Sequence, residues 1–172
     1  MVEPEIDLAD RRRIVPDMNP AALLAAFGAA LSLGVPVHAS TAQCPDPATA
    51  PAEIEQTIHD FFAALRVADK APFEQVTTSS FYAFDVGQRF PGAALVDAVV
   101  DALGNGVEIN WNLGPMDTNL RCDVAWSQWE NTGSAGTPPD VRPVRWLESA
   151  VLVHDGKRWK LDFFHSQRAA AR

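Results

Sequence analysis

The spacing of apolar residues turns from mainly helical to period two at Gly104-Asn105-Gly106, and the change bounds what the chain can fold into. Before it, Ile54, Ile58, Phe61, Phe62 and Leu65 recur at helical spacing, as do Leu95, Val96, Val99, Val100 and Leu103. Pro51 and Glu53 suit the start of the first helix, and Asp69 with Pro72 ends it and opens a short second one. After the change the period is two. Val107, Ile109, Trp111 and Leu113 oppose Glu108, Asn110 and Asn112; Leu120, Cys122, Val124 and Trp126 oppose Arg121, Asp123 and Ala125. Residues 131–141, with two glycines and paired prolines, read as a long connection, and strands over 144–153 and 159–166 meet at an Asp155-Gly156 turn of the hairpin kind. One strand, 79–86, interrupts the helices, with Tyr82 and Phe84 on one side and Phe81, Ala83 and Asp85 on the other. The order predicts an α+β fold in which a curved antiparallel sheet wraps around N-terminal helices.

Ahead of this domain lies an uncharged apolar run, Ala21 to Val37, followed by His38-Ala39-Ser40-Thr41-Ala42. An apolar stretch and then small residues is the order of an export signal, and Gly28, Gly34 and Pro36 argue against a membrane span. The expected organisation is a leader with a secretory signal at 1–42, translated from Met1 or Met18, a lead-in at 43–50, one domain at 51–168 and a tail at 169–172. The mature protein is then periplasmic or secreted, without stable membrane insertion. An oxidising compartment would permit the only two cysteines, Cys44 and Cys122, to form a disulfide.

The 172 residues carry 14 Lys and Arg against 22 Asp and Glu, a net charge of -8, which repels a phosphate backbone, so no nucleic-acid partner is expected. Arg11 to Arg13 is the only basic cluster, and acidic residues surround it. Two cysteines and four scattered histidines show no zinc-ligand spacing. Nucleotide loops, nucleophilic triads and paired metal carboxylates are absent as motifs, so neither a metal nor a cofactor is expected.

The succession of a helix, Asp69, a short helix, FYAFDVG, a helix, GVEINWNLG and RWLESAVLVHDGKRWKLDFFHSQ resembles the nuclear transport factor 2-like superfamily, in particular its SnoaL-like bacterial members. The resemblance spans about residues 50 to 168. It implies that helices and sheet form a cone with an open mouth and a pocket. It also implies one of several roles: isomerase, dehydratase, cyclase, small-ligand binder or dimerisation module. The expected partners are a small hydrophobic or aromatic molecule and a second copy of the chain, with a non-catalytic dimerisation or partner-binding module as the alternative.

Parity then nominates residues. His165 shares a face with Trp159, Leu161 and Phe163, so it is the candidate acid or base of an apolar pocket, with Phe163 as a ligand contact. Arg145 and Ser149 lie on one face of the preceding strand, and Trp146, Glu148, Ala150 and Leu152 on the other. Arg145 is a candidate polar anchor, and Glu148, a carboxyl among apolar neighbours, a candidate ligand contact. Tyr82 and Asp85 carry the groups a keto-enol isomerase needs, one for an enolate oxygen and one to move a proton. Ketosteroid isomerase, which the chain resembles in fold, takes its oxyanion tyrosine from the first helix, where this chain has phenylalanines and His59. Trp111 is the tryptophan expected to line the pocket.

Overall fold

The computed structural model describes residues 44–170, so the expected signal, its cleavage site, the start codon and the last two residues lie outside the described region. The elements run α1 (Ala50–Val67), α2 (Lys70–Val76), β1 (Thr77–Asp85), β2 (Gln88–Pro91), α3 (Ala94–Gly104), β3 (Glu108–Leu113), β4 (Asp117–Arg121), β5 (Val124–Gly136), β6 (Arg142–His154) and β7 (Trp159–Arg168). Among the described residues no helix is long and apolar enough to cross a membrane.

Local chemistry explains the helix boundaries. Pro51 opens α1, where its missing N–H leaves no partner wanting, and Ala68 closes it in the left-handed region at φ 52°, its N–H bonding back to the last turn. Asp69 then caps α2 by accepting from the Ala71 N–H at 2.9 Å. The apolar stripe of α1 buries Ile54, Ile58, Phe61, Phe62 and Leu65 against the sheet. Phe61 is the hub, touching Phe62, Phe73, Phe81 and Phe164 with ring centroids 5.1–5.8 Å apart.

Two features correct the expected fold. Strand β1 runs parallel to β7, so the sheet is mixed and not antiparallel throughout. Its order is β2-β1-β7-β6-β5-β3, with β4 also on β5, and the end strands β2 and β3 do not meet. The seven-stranded sheet is therefore neither closed nor strongly curled, and the expected cone is not formed. The parallel pair arises because the chain enters the sheet from α2 directly alongside what becomes its last strand.

Two smaller expectations also change. Residues 120–126 are not one strand: the chain turns at Cys122 and Asp123, with Cys122 at φ 51°, and β4 folds back on β5. The stretch read as a connection begins as strand, since β5 continues through Gly136 and pairs with β3 on one edge and β6 on the other. Gly133 requires its identity there, because a Cβ would lie 1.9 Å from the Asn110 carbonyl oxygen. Cys44 and Cys122 are joined in a disulfide with Cα atoms 4.6 Å apart, tying the start of the described chain to the β4–β5 turn.

The last strand carries the change that matters for the site. Val151 faces Phe163 while Leu152 faces Leu161, which leaves Asp162 as an extra residue in β7. Its Oδ1 accepts from Thr78 Oγ1 at 2.6 Å and from Ser80 Oγ at 2.7 Å, so the bulge is held by β1. Beyond Asp162 the parity reverses: Phe164 and Ser166 are buried alongside Trp159 and Leu161, and Phe163 and His165 turn to the opposite face.

Candidate functional site

A cavity of about 320 Å³ opens between the inner face of the sheet and helices α1 and α3. Its walls are mainly apolar: Phe62 and Leu65 from α1, Leu95 and Val99 from α3, Trp111 from β3 and Phe164 from β7. Arg66 in the last turn of α1 donates to the Trp111 carbonyl oxygen at 2.8 Å, which fixes β3 against the helix and Trp111 against Phe62. Size, apolar walls and a few converging polar groups are the general attributes of a small-molecule site.

The polar groups form a row across the inner face: Asp85 at the end of β1, Ser166 on β7 and Glu148 on β6. Glu148 is only 4% exposed and, among the described residues, has no cationic partner within ion-pair distance. Its Oε2 accepts from Trp129 Nε1 at 2.7 Å and Asn131 Nδ2 at 2.9 Å, and its Oε1 accepts from Ser166 Oγ at 3.2 Å. The Asn131 amide is itself oriented, since its Oδ1 accepts the Asn112 N–H at 2.9 Å and its NH₂ is thereby turned to Glu148.

Burial outweighs those three donors, and the nearby Asp85 charge acts with burial, so the Glu148 carboxyl is pushed from its ordinary 4.5 up to about 7. Asp85 is also raised, by burial first, against the opposing pull of the Val86 N–H, Arg168, His165 and Ser166. Ser166 donates its hydroxyl proton to Glu148 Oε1, and Asp85 lies on the same cavity wall. A buried carboxyl raised to about 7 is what general acid–base chemistry needs near neutral pH.

The structure divides the residues nominated from parity. Asp85, Trp111 and Glu148 line the cavity. Tyr82, Phe163 and His165 lie on the outer face, where Phe163 packs on Tyr82 and Phe84 with centroids 5.0 and 5.5 Å apart and His165 pairs across strands with Phe84 and Ser149. The reason is the Asp162 bulge, which breaks the alternation on which the shared face of Leu161 and His165 rests. Arg145 also points outward, with Nη1 3.0 Å from both carboxylate oxygens of Glu130. Ser166, Trp129, Asn131 and Arg168 were not nominated. The consecutive Phe163 and Phe164 were the available signal, because two adjacent phenylalanines in a one-face-buried strand cannot both follow strict alternation. Among the described residues, no three His, Cys, Asp or Glu side chains converge as a metal-binding group.

No protein-family model matches the sequence, and no curated protein matches it. Solved structures do match. One is described as a dehydratase of the NTF2-like family, from Streptomyces avermitilis, at 15% identity and TM-score 0.63, covering 73% of this chain and 100% of that one. A ketosteroid isomerase-like protein from Erwinia carotovora atroseptica SCRI1043 matches at 15% identity and TM-score 0.57, covering 70% of this chain and 96% of that one. An NTF2-like protein of unknown function from Pseudomonas putida KT2440 matches at 21% identity and TM-score 0.59, covering 72% and 89%. At these identities the likeness shows the fold alone, which this chain shares with proteins described as NTF2-like.

Proposed function

We propose that the chain binds a small, mainly apolar or aromatic molecule in the cavity beneath α1 and α3. Its carboxyl row would hydrogen-bond an oxygen of that molecule and exchange a proton with it, the reaction class of isomerases and dehydratases. The observation that carries this reading is Glu148: a buried carboxyl with no ion-pair partner among the described residues, held by three donors on the wall of an apolar cavity that also carries a second carboxyl, Asp85. Protonated Glu148 would donate to the ligand, while Asp85, on the same cavity wall, would act as base. The ketosteroid isomerase-like and dehydratase names borne by two proteins of this fold agree with such chemistry. We assign the chain to the SnoaL-like members on the pattern of its last two strands, with one domain over 51–168.

Export to the periplasm belongs to the same reading, supported by the apolar run before Ala39 and by a disulfide suited to an oxidising compartment. A homodimer is supported by the outer sheet face, where Phe84 is 43% exposed beside Tyr82 and Phe163, and Leu147 of β6 is 46% exposed. Native mass spectrometry of protein recovered from the periplasm tests these points together. A small ligand mass retained by the wild type and lost when Val107→Trp blocks the cavity supports binding. A ligand-free wild type that also fails to bind an added apolar dye counts against it.

A further inference from the structure

The chemistry at the rim of the cavity narrows the class of ligand. The parity change at Asp162 sends a third residue of β7, Arg168, to the inner face after Phe164 and Ser166. Among the described residues Arg168 is the only cationic one lining the cavity, and it also borders an open cleft on the far side that contains Arg145 and Glu130. The two arginines differ in what they already hold. Arg145 is engaged by both oxygens of Glu130, whereas Arg168 makes no ion pair among the described residues. The strand around it is fixed: Arg168 sits opposite Trp146, and the following Ala169 N–H donates to the Arg145 carbonyl oxygen at 2.9 Å.

We propose that Arg168 is the anchor for an anionic group, so that the ligand is an apolar or aromatic monoanion, a carboxylate or sulfonate, whose body enters the cavity while its charge stays at the rim. This rests on the cavity being the binding site. A guanidinium at the boundary of an apolar cavity offers several donors in a planar fork that matches such an anion. Its charge also balances that of Asp85, so an anion approaching the rim does not meet an acidic site. Ser166 and Arg168 are two residues apart on one strand face, a rise of roughly 6.7 Å. The anion therefore lies about that far from the ligand atom that meets the carboxyl row, a spacing that fits a keto acid or hydroxy acid with a short spacer.

A matched pair of fluorescent probes separates the two ideas. N-phenyl-1-naphthylamine and 1-anilinonaphthalene-8-sulfonate share one aromatic body and differ by a sulfonate. Both should bind the wild type with fluorescence enhancement, and Val107→Trp at the cavity wall should reduce both. Arg168→Gln should weaken the sulfonate by about 10-fold or more and leave the neutral dye within about 2-fold. Arg168→Lys, which keeps the charge, should retain most of the sulfonate affinity, and equal melting temperatures would establish that the variants are folded. If Arg168→Gln affects neither dye, or both alike, the anion anchor is overturned while the cavity reading stands. If the wild type binds neither dye, or Val107→Trp leaves both unaffected, the cavity reading falls and the anchor falls with it.

Discussion

At the scale of the residue, Glu148 is the group whose environment differs most from water, and its titration has a stability signature. Its pKa is near 4.5 when unfolded and about 7 when folded, so the folded state binds the extra proton between those values. Stability from this group is complete below pH 4.5, declines as pH rises, and is lost above about 7. The decline is on the order of 3 kcal/mol at roughly 1.4 kcal/mol per pH unit. Asp85, raised in the same direction, adds to the slope. Glu148→Gln keeps the shape and an acceptor for Trp129 and Asn131 but has no proton to lose. Denaturant unfolding of both proteins should therefore give similar stabilities near pH 4 and a more stable variant at pH 8. Parallel curves for the two proteins across pH 4–8 would mean that Glu148 ionises normally. His165→Ala, by contrast, should change affinity for a cavity ligand by less than about 2-fold in a direct titration, because His165 lies on the other face of the sheet.

At the scale of the element, the decisive device is the one-residue bulge in β7. Asp162 receives two short hydrogen bonds from β1. Asp162→Ala should destabilise by about 1–3 kcal/mol in urea unfolding, since a carboxylate acceptor for two hydroxyls is lost. An unchanged midpoint would show that the bulge is held by the strands alone. The same device explains what could be read from sequence. In β6, simple alternation correctly separates buried Trp146, Glu148, Ala150 and Leu152 from Arg145 and Leu147, because the strand keeps its parity throughout. In β1 it does the same for Phe81 and Ala83 against Phe84. In β7 the rule holds for Trp159 and Leu161 and then fails, so His165 was nominated for a position that Ser166 occupies. The β4–β5 turn was hidden for a related reason: Cys122 adopts a left-handed conformation without glycine, and the alternation of flanking residues runs unbroken through it.

At the scale of the whole molecule, α1 and α3 cover one face of an open mixed sheet, and the cavity lies between that face and the two helices. The parallel pairing of β1 with β7 was not legible, because it joins segments far apart in sequence and leaves no mark on local periodicity. It nevertheless builds the site, since it brings Asp85 beside Ser166. The Cys44–Cys122 disulfide spans 78 residues, and closing a loop of that length stabilises by roughly 4 kcal/mol in the chain-entropy model. Cys44→Ser with Cys122→Ser should lower the unfolding free energy by about that amount while preserving the circular dichroism of the fold. A loss below about 1 kcal/mol would indicate that the link adds little beyond the packing of α1.

The central claim is that a protonatable Glu148 on the wall of an apolar cavity meets the ligand. Side-chain carboxyl ¹³C NMR over pH 4–9 measures it most directly, with the Glu148 signal assigned by its loss in Glu148→Gln. The expected midpoint is about 7 in the free protein. It should move upward when 1-tetralone, a neutral aryl ketone that accepts a hydrogen bond, occupies the cavity, since only the protonated carboxyl can donate to it. A midpoint near the ordinary 4.5, or one that stays unchanged when the bound ketone is present, would contradict the account.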